Sequence, residues 1–106
     1  MAYSEALADR VREHLSLIPN VQEKRMFGGL CFMVNGKMCV TVGDHRLMCR
    51  IDPARRAELI ARGATPVFMG GREYKGYLHV DEGLMGTSEQ LDDWIGLALA
   101  FNRSLV

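Results

Sequence analysis

Apolar residues recur every three or four positions near both ends of the chain, a spacing that predicts an amphipathic helix at each end. Ser4 is placed to cap the first helix and Pro19 to end it, while Thr87 and Gln90 form a capping box before the last helix. The two apolar stripes consist of Tyr3, Leu7, Val11, His14, Leu15 and Ile18, and of Leu91, Trp94, Ile95, Ala98, Phe101 and Leu105. The chain is therefore predicted to begin and end with a helix.

Between the helices the apolar positions alternate with a period of two, which predicts β-strands. The first four predicted strands cover residues 21–27, 30–34, 37–42 and 46–51. Asn35-Gly36 predicts a two-residue hairpin loop, because both residue types tolerate positive φ. These strands are predicted to form an antiparallel meander.

The second half of the chain predicts one short helix and two more strands. Asp52-Pro53 suits the start of the helix and Gly63 suits its end. The strands contain Val67-Phe68-Met69 and the segment from Gly76 to Val80. Since no repeat or linker divides the sequence, residues 1–106 are predicted to form a single α+β domain with one mostly antiparallel sheet.

The predicted register, in which Phe32 pairs with Cys39, sorts the meander into two faces. The face expected under the helices carries Cys31, Met33, Met38, Val40, Leu47, Cys49 and Ile51. The other face is apolar at its centre and basic at its margin, which is typical of an interface. Its candidate interaction residues are Leu30, Phe32, Cys39, Arg46, Met48 and Arg50. This hypothesis requires Phe32, Cys39 and Met48 to be solvent-accessible. The alternative is a face that another helix covers or that is merely half-exposed. A three-residue loop at 43–45 would exchange the faces of the strand after it.

Charge gives no overall attraction to a polyanion, because 13 Lys+Arg balance 13 Asp+Glu in a chain of 106 residues. The balance is uneven along the chain: residues 1–80 carry a net charge of +4 and residues 81–106 carry −4. The basic residues that could form a local patch are Arg46, Arg50, Arg55, Arg56, Arg62, Arg72 and Lys75. They are either solvated surface residues or, beside aromatic side chains such as Tyr74 and Tyr77, a nucleic-acid contact.

The sequence shows no recognisable catalytic or metal-binding motif. Its three cysteines and three histidines lack the spacing of zinc or disulfide motifs, so we expect free thiols, no metal site and no cofactor. Gly28-Gly29 beside Arg25 has two interpretations, a bend in the sheet or a backbone site for an anion. A small ligand would need the polar residues Arg25, Tyr74, Lys75 and Tyr77 to cluster around one apolar pocket.

The run from Arg25 to Met38, RMFGGLCFMVNGKM, resembles the signature of the TfoX N-terminal domain family. Cys49-Arg50-Ile51-Asp52 and Tyr77-x-x-Val80 support the resemblance. It implies an α-β(3)-α-β(2)-α order similar to secretion-chaperone-like proteins, in which 21–27 either continues into 30–34 as one bent strand or is an extra edge strand. Full-length relatives regulate competence for DNA uptake and carry a second, C-terminal domain.

Together these features predict a small, non-enzymatic regulatory module that binds a protein partner or a second copy of itself. The alternatives are a nucleic-acid-associated component of a transcriptional regulator and a small-ligand-binding protein or enzyme. The N-terminal residues lack a signal-peptide pattern, and no apolar run approaches the length of a membrane span. We therefore expect a cytoplasmic protein without membrane contact.

Overall fold

The computed structural model describes residues 3–26 and 28–105 and shows an α+β fold. Within those residues the elements are α1 (Glu5–His14), β1 (Val21–Met26), β2 (Gly29–Val34), β3 (Lys37–Val42), β4 (Arg46–Arg50), α2 (Arg56–Ala61), β5 (Thr65–Met69), β6 (Arg72–Asp81) and α3 (Ser88–Ser104). Single 3₁₀ turns at Pro53–Arg55 and Glu82–Leu84 precede α2 and α3. None of the helices described is long and apolar enough to cross a membrane.

The predicted helix starts are confirmed by their hydrogen bonds. The Ser4 hydroxyl accepts the backbone N–H three residues further on at 3.2 Å, and the Asp52 carboxylate accepts the N–H two residues further on at 2.9 Å. Thr87 and Gln90 exchange the two bonds of a capping box at 3.1 and 3.0 Å. Each cap satisfies backbone donors that the first turn of a helix leaves unpaired.

The six strands form one antiparallel sheet in the order β1-β2-β3-β4-β6-β5. The order implied by the resemblance is confirmed, and β1 is the extra edge strand rather than part of a bent β2, because Met26 pairs with Gly29. The predicted first strand reached residue 27, which lies outside the described residues. Apolar residues of α1, α2 and α3 share one core with one face of the sheet. The opposite face carries none of these helices, and we call it the helix-free face.

A β-bulge in β3 decides which side chains lie on which face. The two-residue hairpin at Asn35-Gly36 is confirmed, with φ values of 54° and 77°. Beyond it the register shifts: Met33 pairs with Met38 but Phe32 pairs with Val40, so Cys39 is an extra residue in β3. A shift of one residue exchanges the two faces of a strand.

The predicted faces of β2 were therefore wrong. Leu30 and Phe32 lie in the core under the helices, and Cys39 is buried with them. Cys31, expected under the helices, pairs with Thr41 on the helix-free face. Phe32 and Cys39 are each 1% exposed and Met48 is 6% exposed, so the accessibility that the predicted interaction surface required is absent. For β4 the predicted faces are correct, because Val42 pairs with Leu47 and both Leu47 and Cys49 lie in the core under the helices.

Three buried free thiols, Cys31, Cys39 and Cys49, lie on the neighbouring strands β2, β3 and β4. Burial raises the pKa of Cys39 and of Cys49 to about 12, and it raises the pKa of Cys31 as well. A thiol of the unfolded chain ionises near pH 9, whereas these stay protonated in the fold. Ionisation of the thiols therefore favours the unfolded state once the pH exceeds the pKa that they have in the unfolded chain.

We expect the free energy of unfolding to fall as the pH rises from about 9 towards about 12. Cys49→Ala removes one of the three thiols, so its stability should fall less steeply over the same interval. Urea denaturation at a series of alkaline pH values measures both slopes. Equal slopes in the two proteins would contradict the burial of this thiol.

Candidate functional site

The helix-free face contains a pocket of about 520 Å³. Its floor is formed by Thr41, Met48 and His79, which are neighbours across β3, β4 and β6. The other lining residues come from the β1–β2 turn, the β3–β4 turn, β5 and the end of β6: Gly28, Gly29, Val42, Gly43, Asp44, His45, Arg46, Val67, Phe68, Met69 and Asp81. We call it the open-face pocket. Its volume lies within the usual range for ligand pockets.

An exposed aromatic side chain lines this pocket. Phe68 is 62% exposed, and among the described residues the other large hydrophobic side chain with high exposure is Leu17, at 93%. A register shift between Pro66 and Phe68 places a single residue of β5, Val67, opposite residues 74–77 of β6, and Val67 is buried. The Phe68 side chain thus exposes apolar surface to solvent at the open-face pocket.

The polar side chains around the pocket carry both signs of charge. Arg46 and Asp81 pair across β4 and β6, and Asp44 contacts His45 at 3.1 Å. Burial, and secondly the positive charge of Arg46, lower the pKa of His79. His79 is therefore neutral at neutral pH, and it offers a hydrogen bond without a net charge.

The structure brings two of the predicted interaction residues, Arg46 and Met48, to the open-face pocket. Arg50 lies at the far end of β4 and does not line it. Sequence reasoning missed Phe68 and Asp81. The available signal was Val67-Phe68-Met69 next to a glycine pair, and it identified a strand without showing that the sheet leaves Phe68 exposed.

Gly28 and Gly29 lie at the turn between β1 and β2, where the backbone conformation and the close packing favour glycine. Gly28 has a φ of 72° in the turn between β1 and β2. A Cβ at Gly29 would lie 2.3 Å from the carbonyl oxygen of Val42. Both glycines line the pocket, but Arg25 does not, so the structure does not bring the three together as an anion site.

Of the polar set predicted for a small ligand, Tyr74, Lys75 and Tyr77 line a shallow groove of about 600 Å³ along β6. Arg25 lies on β1 and does not line this groove. The four residues therefore do not cluster around one pocket. Within the described residues, no three His, Cys, Asp or Glu side chains come close enough together to hold a metal ion.

A serine, a histidine and an aspartate that are distant in sequence meet at the α1–α3 contact. The His14 Nδ1 atom lies 3.2 Å from the Asp92 carboxylate, and its Nε2 atom lies 3.3 Å from the Ser88 hydroxyl. This is the contact order of a hydrolytic triad. However, the Asp92 side chain is 72% exposed, and these residues line neither the open-face pocket nor the β6 groove. We interpret the cluster as a structural contact that holds the end of α1 against the first turns of α3.

Asp92→Asn should lower the free energy of unfolding by less than about 1 kcal/mol, since a contact with an exposed carboxylate contributes little. Urea denaturation measures the change. If the contact has this structural role, we expect a fluorophosphonate probe to leave Ser88 unmodified. Labelling of Ser88 that disappears in His14→Gln would contradict this interpretation.

The chain matches a known protein family. The family model of the TfoX N-terminal domain matches residues 13–102. This match spans β1 to β6 and most of α3, and therefore contains the whole open-face pocket. No curated protein matches the chain.

Proposed function

Because the chain belongs to the TfoX N-terminal domain family, we propose that it is a small cytoplasmic regulatory module of the competence-regulator type. It acts by binding another protein rather than by catalysis. The single observation that carries this proposal is the exposed Phe68 that lines the open-face pocket on the helix-free face.

The composition of the open-face pocket supports a protein partner. Aromatic and methionine side chains are enriched at protein interfaces, and here Phe68, Met48 and Met69 lie together. Charged residues of both signs, Arg46 and Asp81, lie around them, as in the polar rim of an interface. The fitting partner places an apolar side chain in the pocket and polar groups around it.

The edges of the sheet are less suitable for a partner than its face. On the edge strand β1, residues 22–25 are all exposed and polar, which opposes pairing with another strand. On the other edge strand, β5, Pro66 lacks a backbone N–H donor. These features favour docking of side chains on the helix-free face over addition of a strand.

Phe68→Glu tests the proposal because it changes an exposed residue and should leave the fold intact. In cells that lack the chain, we expect wild type to restore DNA uptake and Phe68→Glu to fail. Leu17→Glu is the matched control, since it places the same residue at another highly exposed large hydrophobic position. Circular dichroism confirms that both variants fold.

Two outcomes would contradict the proposal at different levels. If Phe68→Glu restores uptake as well as Leu17→Glu does, the open-face pocket is not the functional surface. If DNA uptake does not depend on the wild-type chain at all, the regulatory role in competence is wrong, whatever the pocket binds.

A further inference from the structure

Five planar side chains follow one another along β4 and β6, outside the lining of the open-face pocket. The Arg50 guanidinium lies 6.0 Å from the ring of Phe101 and 5.9 Å from that of Tyr77. The rings of Tyr77 and Tyr74 are 6.5 Å apart, and the Arg72 guanidinium lies 6.0 Å from Tyr74. We call Phe101, Arg50, Tyr77, Tyr74 and Arg72 the planar ladder.

The sheet itself brings these groups together. Arg50 and Tyr77 are directly paired across β4 and β6, so their side chains leave the same face. Gly76, between the two tyrosines, accepts a hydrogen bond from the Ile51 N–H at 2.9 Å through its carbonyl. This bond ties β6 to the end of β4. The shallow groove of about 600 Å³ runs beside the tyrosines.

The charge along this groove is positive although the chain as a whole is neutral. Arg72 and Lys75 line it, both exposed. Glu73 is the acidic residue among its lining residues, and Arg56 forms an ion pair with it. Arg50, next to Tyr77, adds a further positive charge. The groove therefore attracts an anionic chain, and its aromatic rings select one with planar groups.

We propose that the planar ladder binds single-stranded nucleic acid. The bases stack on Tyr74 and Tyr77, and the phosphates contact Arg50, Arg72 and Lys75. Successive aromatic rings beside cations are the usual arrangement for binding unpaired bases. Duplex DNA does not fit this arrangement, because its bases are stacked on one another and their faces are closed to the tyrosines. The ladder and the open-face pocket share no residue, so each proposal can fail without the other.

Fluorescence anisotropy of a short labelled oligodeoxythymidine, titrated with the full chain at low salt, tests the proposal. We expect saturable binding that weakens as salt is added. Tyr77→Ala should weaken binding by at least about five-fold, whereas Tyr77→Phe, which keeps the ring, should bind like wild type. Tyr74→Ala provides a second variant should Tyr77→Ala unfold.

Arg72→Ala and Arg25→Ala form a matched pair, because each removes one exposed arginine but only Arg72 belongs to the ladder. We expect Arg72→Ala to weaken binding and Arg25→Ala to leave it unchanged. An oligouridine in parallel shows whether RNA or DNA is preferred, and preference for either supports the proposal. No binding at low salt, equal binding of duplex DNA, or unchanged binding by both tyrosine-to-alanine variants would overturn it.

Discussion

Gly29→Ala is expected to lower the free energy of unfolding by about 3 kcal/mol. A Cβ at this position would lie 2.3 Å from the carbonyl oxygen of Val42 and 3.3 Å from the Thr41 Cγ2 atom. The first contact is with backbone in the adjacent strand, so no side chain can move aside to relieve it. β2 and β3 must separate at the point where Leu30 pairs with Val42. Urea denaturation measures the loss.

Gly76→Ala is the matched control for this substitution. Gly76 also lies in a strand, but a Cβ there would meet no atom within 4 Å. We expect Gly76→Ala to leave the free energy of unfolding within about 0.5 kcal/mol of wild type. If the two variants were equally stable, the close approach of β2 to β3 at Gly29 would be wrong.

Asn102→Asp is expected to cost about 3 kcal/mol or more at neutral pH. Asn102 is 5% exposed, and its side-chain amide donates a hydrogen bond of 3.0 Å to the carbonyl oxygen of Val34. The aspartate keeps the shape of the side chain but replaces this donor with a negative charge that faces the carbonyl oxygen. A buried charge without a partner is costly.

The loss of stability in Asn102→Asp should also depend on pH, which tests the same contact a second time. Burial raises the pKa of a carboxyl group above its value in the unfolded chain. The penalty is therefore full at neutral pH and decreases as the pH falls through the raised pKa, where the protonated acid can donate to Val34. Denaturation of variant and wild type at several pH values measures this difference. A penalty that does not change with pH would contradict the buried site.

The elements of this fold follow closely from local sequence signals. Ser4, Asp52 and Thr87 each predicted a helix start, and Asn35-Gly36 predicted a hairpin with both residues at positive φ. Such signals act within a few residues, so the sequence carries them completely. The α+β class and the order of the elements followed from them.

The faces of the sheet could not be predicted from the same signals. Alternation gives two faces for each strand, but their assignment depends on an uninterrupted register, and the bulge at Cys39 interrupts it. No residue type in β3 marks this bulge, because Met38, Cys39 and Val40 are all apolar. The error placed Phe32 on the helix-free face and Cys31 on the face under the helices.

The candidate sites depend on contacts that are distant in sequence. The open-face pocket combines β5 with the β1–β2 turn, and the His14–Asp92 contact joins residues 78 positions apart. The sequence predicts only part of the planar ladder. It indicates that Tyr74 and Tyr77 lie beside arginines, but its pattern places Phe101 in the apolar stripe of α3 rather than next to Arg50. The spacing of residues along the chain does not specify these tertiary contacts, because they form only when the elements pack together.

In the cell, the helix-free face is expected to contact a protein partner at Phe68. Site-specific photo-crosslinking tests it most directly, with p-benzoylphenylalanine at position 68 in one variant and at position 17 in the other, both in living cells. We predict a protein adduct from position 68 and none from position 17, and an adduct of twice the chain's mass would identify the partner as a second copy. Adducts from position 17 with none from position 68 would contradict the claim.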